Sequence, residues 1–236
     1  MVEHVSDLTW PEVGARAEQG VILAVPVGST EQHGPHLPLS TDTDIAAELC
    51  RRLAARRPDV LVAPAVPYGS SGEHAGFPGT LSIGQAALEL LIVELCRSAT
   101  DTFDQILLVN GHGGNAEPLQ RAVRLLREES RDVRLWMPRY HGDLHAGAAE
   151  TGMQLALDPA RVRADRAEPG DQRPISELYP LLAAGGVRAV SPNGILGDPT
   201  TATSEDGMRL LDSLAMHLEK DSRSWWPVEL PGRAGQ

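Results

Sequence analysis

Apolar residues along this chain follow two rhythms. Continuous β-branched and aliphatic runs at 21–27, 60–66, 105–109 and 133–137 read as strands, and the segments between them repeat their apolar positions at helical spacing. Over 44–57, Ile45, Leu49 and Leu53 share one face. Ser82 with Gln85 has the form of a capping box ahead of a helix over 86–95, and Asn115 stands where it can cap the next helix. Leu210, Leu211, Leu214 and Leu218 mark a last helix over 204–220. Strands alternating with helices predict a parallel sheet with crossover helices. The expected fold class is α/β: a single-domain three-layer sandwich with a mostly parallel central sheet. Turn-forming residues fill 191–194 and 197–199, 165–174 reads as polar loop, and the tail beyond Trp226 is expected to be loose.

Composition narrows the classes open to this fold. With 236 residues, 42% of them hydrophobic, the chain can bury a sizeable core, and one domain over 1–236 is the expectation. A formal charge of -11, from 32 acidic against 21 basic residues, works against a nucleic-acid partner, whose phosphates demand Lys and Arg. The N-terminal segment carries Glu3, Asp7, Glu12 and Glu18 with no basic or apolar leader pattern, and no stretch is suited to span a bilayer. Cys50 and Cys96, the two cysteines, each sit beside leucines in a helical pattern and read as buried free thiols. A cytoplasmic protein with neither nucleic-acid nor membrane partners is expected.

Polar clusters that follow the strand runs carry the candidate chemistry, since ligands in open α/β sheets bind beyond the carboxyl ends of the strands. The first reads Gly28-Ser29-Thr30-Glu31-Gln32-His33-Gly34-Pro35-His36-Leu37-Pro38, with Asp42 and Asp44 just beyond. Glu31 and His33, two apart, project to the same side of an extended segment, as two ligands of one centre must. Asp42 or Asp44 can equally be an N-cap for the helix at Ile45. The second cluster, Asn110-Gly111-His112-Gly113-Gly114-Asn115, sets an imidazole between glycines at a strand end, which suits a metal ligand better than a core position. Gly113 and Gly114 can offer backbone N–H groups to a developing oxyanion, or can simply make a tight turn. A third cluster holds His145 and Glu150; Glu150 also fits as a first-turn helix acid. Glu73 and His74 lie in another polar loop, where His74 can touch substrate or hold a structural hydrogen bond.

Together the 28–38 and 110–115 motifs, with His145-Ala146-Gly147 and Glu150-Thr151, resemble the creatininase (creatinine amidohydrolase) family from about 21 to 207. Gly69-Ser70-Ser71-Gly72-Glu73-His74, Gly185-Gly186-Val187 and the 194–203 segment look most like the mycofactocin-system branch, a peptidase line acting on a modified precursor peptide. The resemblance implies a dinuclear site holding two divalent ions, zinc, iron(II) or manganese, in which Glu31, His33 and His112 are ligands, Asp42 bridges and Glu150 completes the second metal. Creatininase proper places a glutamate where this chain has Gly114, and its Glu-Thr-Ser becomes Glu150-Thr151-Gly152; creatinine turnover is thereby disfavoured. Glu150 is the carboxylate assigned in place of the missing one. A metal-held water would attack the amide and His145 would protonate the leaving nitrogen, with Glu73, His74, Gly113 and Gly114 on the substrate side. The resemblance also implies a homo-oligomer, a hexamer, and a cut near the precursor's C-terminus that frees a pair derived from Val-Tyr. Another amidohydrolase of the family, acting on creatinine or a small cyclic or formamide-type amide, is the alternative. A non-catalytic metal- or nucleotide-binding module is the competing class, but Gly111-His112-Gly113-Gly114 lacks the spacing that cradles phosphate.

Overall fold

The computed structural model describes residues 2–139 and 142–227. Four parallel strands, β1 (Ile22–Val27), β2 (Val60–Val62), β3 (Gln105–Asn110) and β4 (Asp132–Trp136), lie in the order β2-β1-β3-β4. The α-helices are α1 (Trp10–Ala17), α2 (Thr41–Arg56), α3 (Gln85–Ala99), α4 (Ala116–Glu128), α5 (Ala148–Leu157), α6 (Ile175–Val190) and α7 (Ser204–Trp225).

β1 is buried along its whole length, and its pleat divides its side chains between two cores. Ile22 and Ala24 join Leu49 and Leu53 of α2 and Leu211, Leu214 and Leu218 of α7 on one face. Leu23, Val25 and Val27 join Leu88 and Ile92 of α3 and Leu119 and Leu126 of α4 on the other. A strand covered on both faces has no polar side, which is why these segments are unbroken apolar runs in the sequence. The three expected layers follow. Cys50 and Cys96 are buried and free; burial raises both thiols, Cys96 to about 12.

Several element boundaries differ from expectation for local reasons. β2 stops at Val62, because Pro64 has no N–H for the ladder, and pairing returns only as an isolated bridge between Val27 and Val66. Ser82 does not cap α3. That helix follows Gly84, which is left-handed at φ 79°, and Ser82 Oγ instead accepts the N–H groups of Ser71 (2.9 Å) and Gly84 (3.3 Å). α6, interrupted by Pro180 and kinked at Gly186, has no clean apolar period to announce it. α7 continues past 220 to Trp225, and the buried Trp226 donates from Nε1 to Asp132 Oδ2 at 2.6 Å. The remainder of the tail, 228–236, lies outside the described residues.

From β1 the chain turns one way to reach β2 and crosses back to reach β3, so a crevice opens beyond the carboxyl ends of β1 and β3. Val27 and Asn110 are register partners there, and the loops that follow them start side by side. The first turn of α2 is pressed against both loops: a Cβ added to Gly28 would collide with Thr43, and one added to Gly111 with the Asp42 carbonyl. That close approach, which only glycine permits, delivers Asp42 to the crevice.

Candidate metal centre

Glu31 and His33 arrive on the loop after β1, Asp42 on the first turn of α2 and His112 on the loop after β3, all of them buried. Asp42 stands between the two imidazoles. Its Oδ1 lies 3.1 Å from His33 Nε2 and its Oδ2 3.1 Å from His112 Nδ1, while Ser29 Oγ donates to Oδ2 at 2.7 Å. Glu31 turns Oε2 to His112 Nε2 and Oε1 to His74 Nε2, each at 3.2 Å. Glu150, in the first turn of α5, approaches His33 Nε2 at 3.9 Å. Two candidate ligand sets result, Glu31–Asp42–His112 and His33–Asp42–Glu150, each with its donor atoms within 4.8 Å of one another, and Asp42 belongs to both. A third set, Glu31–His33–His145, adjoins them.

Neither Asp42 nor Asp44 is the helix cap, a position taken by Ser40. Asp44 points away from the crevice, accepting from Ser40 Oγ and Arg161 Nη1 at 2.8 Å each. His145 brings Nδ1 to 3.8 Å from Glu31 Oε1, with its ring centroid 4.3 Å from that of His33 and 4.4 Å from that of His74. Glu73 stands at the rim, its side chain 35% exposed and Oε1 3.3 Å from His112 Nε2. Gly113 and Gly114 form one 3-10 turn closed by Asn115 N–H on His112 O at 3.2 Å, which is what the tight-turn alternative requires. The Asn115 side chain does not cap α4. It accepts from Ser70 N–H (2.8 Å) and donates to Gly28 O (2.9 Å) and Asn110 Oδ1 (3.1 Å), lashing three loops together. Glu150 is both a first-turn acid and a member of the cluster: its Oε2 accepts from the N–H of Ala146, a non-glycine residue at φ 54°. Ser29, Gln32, Ser70 and Asn110 complete the buried polar network, and the sequence pattern gives none of them a role. The one signal is Gln32, an amide held between two candidate ligands.

Electrostatics favour bound cations here. Among the described residues, the partners within ion-pair distance of Glu31, Asp42, Glu73 and Glu150 are all histidines, with no Lys or Arg. Burial opposes the imidazolium of His33, but Asp42, Glu150 and Glu31 outweigh it and raise His33 to about 10. His112 is driven well above its ordinary value, against burial, by Glu31, Asp42 and Glu73. Asp42 falls well below the carboxylate range because His33 and His112 overcome the burial that would raise it. Burial, with Asp42 and Glu31 adding to it, lifts Glu150 to about 7. His145 and His74 are lowered, first by burial.

Both oxygens of Glu31 are buried, and the imidazole nitrogens 3.2 Å from them are not aligned for a hydrogen bond. Leaving a buried carboxylate unpartnered costs several kcal/mol, roughly, unless a positive charge sits beside it. His33 Nδ1 donates to Glu31 O at 3.2 Å, and His112 Nε2 lies 3.1 Å from Ser70 O. With those N–H groups on carbonyls, the opposite ring nitrogens are the ones that face Asp42, where a metal ion would take the place of a proton, as in metal-ligating histidines. Mixed carboxylate and imidazole donors of this kind fit divalent zinc, iron or manganese. A cavity of about 1150 Å³ lies elsewhere, between α4, β4 and α7, and contains none of these residues.

A buried set of acids and imidazoles at the switch point of a parallel sheet is a candidate metal centre, and the chain belongs to the creatinine amidohydrolase (creatininase) family, whose model matches residues 6–221. Its similarity runs deeper toward one branch. The mycofactocin precursor peptide peptidase of Mycolicibacterium smegmatis is 50% identical over 213 residues, covering 87% of this chain and 86% of that protein. Among solved structures, a manganese form of creatininase superposes with a TM-score of 0.81 at 28% identity, covering 97% of this chain and 100% of that one. A Zn–Zn form of a creatininase variant matches at the same TM-score, 0.81, and 28% identity, with the same coverage of 97% and 100%.

Proposed function

We propose that this chain is a metal-dependent peptidase that hydrolyses an amide bond near the C-terminus of a modified precursor peptide, releasing the residue pair derived from Val-Tyr. The observation that carries the reading is Asp42, whose two oxygens each reach one imidazole of two overlapping ligand sets. Half-identity to a precursor peptide peptidase supports the substrate class. Glu31, Asp42 and His112 would hold one divalent ion and His33, Asp42 and Glu150 the other. Ions bound there supply Lewis acidity, lowering the pKa of water from about 15.7 to about 7 and polarising the scissile carbonyl. The chain's own residues do the rest. Ser29 holds the Asp42 carboxylate in its shared position, Ala146 N–H holds Glu150, and Asn115 fixes the loops that carry Glu31 and His112. His74 and His145 line the same crevice as the groups available to handle protons, and Glu73 and the Gly113–Gly114 turn form its substrate-side rim. Gly114 leaves space for Glu73 that any larger side chain would fill.

No helix among the described residues is long and apolar enough to cross a membrane. We assign the protein to the cytoplasm as a homo-oligomer, a hexamer by its family. The second reading is hydrolysis of creatinine or another small cyclic amide, favoured by the creatininase superposition. The test is mass spectrometry of products after incubation with the modified precursor peptide, with creatinine in parallel and a chelator arm. Release of the C-terminal fragment, its loss on chelation and its return on adding metal are the expected results. Turnover of creatinine alone would overturn the substrate, and chelator-insensitive cleavage would overturn the metal role.

A further inference from the structure

Gln32 sits between two candidate ligands and is 5% exposed, yet nothing in the reading above uses it. Its orientation is fixed from both ends. Thr80 Oγ1 accepts its backbone N–H at 3.1 Å, and its side-chain Oε1 accepts the N–H of Gly34 at 2.9 Å. The amide nitrogen must therefore face the opposite group of partners: Gly194 O at 2.9 Å, His74 Nδ1 at 2.9 Å and His145 Nε2 at 3.0 Å. An NH₂ group has two protons for these three neighbours.

One assignment satisfies every group. Gly194 O, a carbonyl, can only accept, and takes one proton. His145 Nε2 also lies 2.9 Å from Gln32 O, another obligate acceptor, so it donates there. The second amide proton then goes to His74 Nδ1. If the amide served His145 instead, Gln32 O would lose its donor and His74 Nδ1 would have neither a proton to accept nor an acceptor to serve; burial makes such orphans costly. Both rings consequently carry the proton on Nε2, but they turn different atoms to the crevice. His74 presents Nε2, 3.2 Å from Glu31 Oε1; His145 presents Nδ1, 3.8 Å from the same oxygen.

We propose that Gln32 is a positioning residue whose side-chain amide fixes the tautomer of His74, while its backbone carbonyl fixes that of His145, giving the crevice one imidazole N–H donor, His74 Nε2, and one imidazole lone pair, His145 Nδ1. The catalytic consequence rests on the hydrolase reading. As water attacks the amide carbon, His145 Nδ1 takes its proton while the new O–C bond forms, and His74 Nε2–H donates a hydrogen bond to the charge gathering on the carbonyl oxygen. When the C–N bond breaks, the same proton passes from His145 to the leaving nitrogen. Two rings, one set by the Gln32 side chain and the other by its carbonyl, thus divide work that identical, freely tautomerising imidazoles would share unproductively.

The test is ¹⁵N NMR of histidine-labelled, zinc-loaded protein, with resonances assigned by subtraction in His74→Gln and His145→Gln, alongside kinetics on the precursor peptide. The wild type should show Nε2–H tautomers at both rings. Gln32→Glu replaces the amide donor with a carboxylate, so His74 should shift to Nδ1–H and kcat should fall roughly 100-fold with KM little changed, in line with the loss of one acid–base contribution. Gln32→Leu, the companion variant should Gln32→Glu fail to fold, should leave His74 as a mixture of tautomers. An Nδ1–H tautomer at His74 in the wild type, or unchanged tautomers in both variants, would overturn the proposal. Expected tautomers in a protein that does not cleave the peptide would remove the hydrolase reading and leave the positioning role standing.

Discussion

Asp42→Asn is the most discriminating perturbation of the centre, because it keeps the side chain's shape and removes one charge shared by both ligand sets. Asp42 is 2% exposed and lies 3.1 Å from a nitrogen of each imidazole. A unit charge about 3 Å from another is worth about 5 kcal/mol at an effective dielectric of about 20, which sets the scale for the carboxylate's pull on a cation held between it and either imidazole. Hydration regained by the site and the smaller desolvation of a carboxamide return part of this, so about 3 kcal/mol per cation is the expected net loss, roughly a hundredfold in affinity. Metal analysis by mass spectrometry should find stoichiometry falling from two ions per chain to below one after dialysis, with turnover down at least about 1000-fold and the circular dichroism of the wild type retained. Asp44→Asn is the internal control. Asp44 lies two residues along the same helix, but its partners are Ser40, the exposed Arg161 and, at 3.4 Å, the Gln154 amide, all of which a carboxamide oxygen can still accept from, so its loss should cost no more than about 1 kcal/mol and leave metal content intact. Full metal occupancy and ordinary turnover in Asp42→Asn, or equal damage from the two variants, would refute the shared-ligand argument.

Three further outcomes follow from particular contacts. Gly114→Ala would drive a Cβ into Glu73 Oε1 and the Ser70 carbonyl and to 2.6 Å from His112 Nε2, so turnover should fall roughly 100-fold and the thermal midpoint should drop as the backbone gives way; unchanged kinetics would count against the tight rim. Asn115→Ala strands the Ser70 N–H and the Gly28 carbonyl in a buried site, which should cost about 3 kcal/mol in urea denaturation, and a loss under about 1 kcal/mol would show the clamp to be dispensable. His36 is held down to about 4, by burial first and then by His33, and its Nε2 lies 2.8 Å from Thr151 Oγ1. Since the unfolded chain binds that proton below pH 6.5 and the folded chain does not until about 4, stability contributed there is complete above 6.5 and is lost as pH falls to 4, by about 3 kcal/mol in all. His36→Gln should flatten that slope between pH 6.5 and 4 in denaturation curves; a slope equal to the wild type's would remove His36 as its source.

The layered architecture was legible in the chain because its strands are covered on both faces, and a strand so placed must be apolar at every position, as 22–27 and 106–109 are. The candidate ligands stood out too, since Glu31, His33 and His112 follow apolar runs just beyond the points where strands end. What the linear pattern left open was every question that depends on approach between distant segments. Asp42 and Asp44 look alike on the helix start, and only the packing of α2 against Gly28 and Gly111 turns one inward to two imidazoles and the other out to Arg161. Asn115 and Ser82 carry capping chemistry, yet both side chains serve other loops, because a neighbouring backbone N–H in the fold outcompetes the local one. Gln32 is one polar residue among several until Gly194 and His74, far along the chain, close around its amide. Residue chemistry and burial periodicity are properties of the sequence; which lone pair faces which proton is fixed only when the loops are brought within a few ångströms of each other, a distance set by the packing of all three layers.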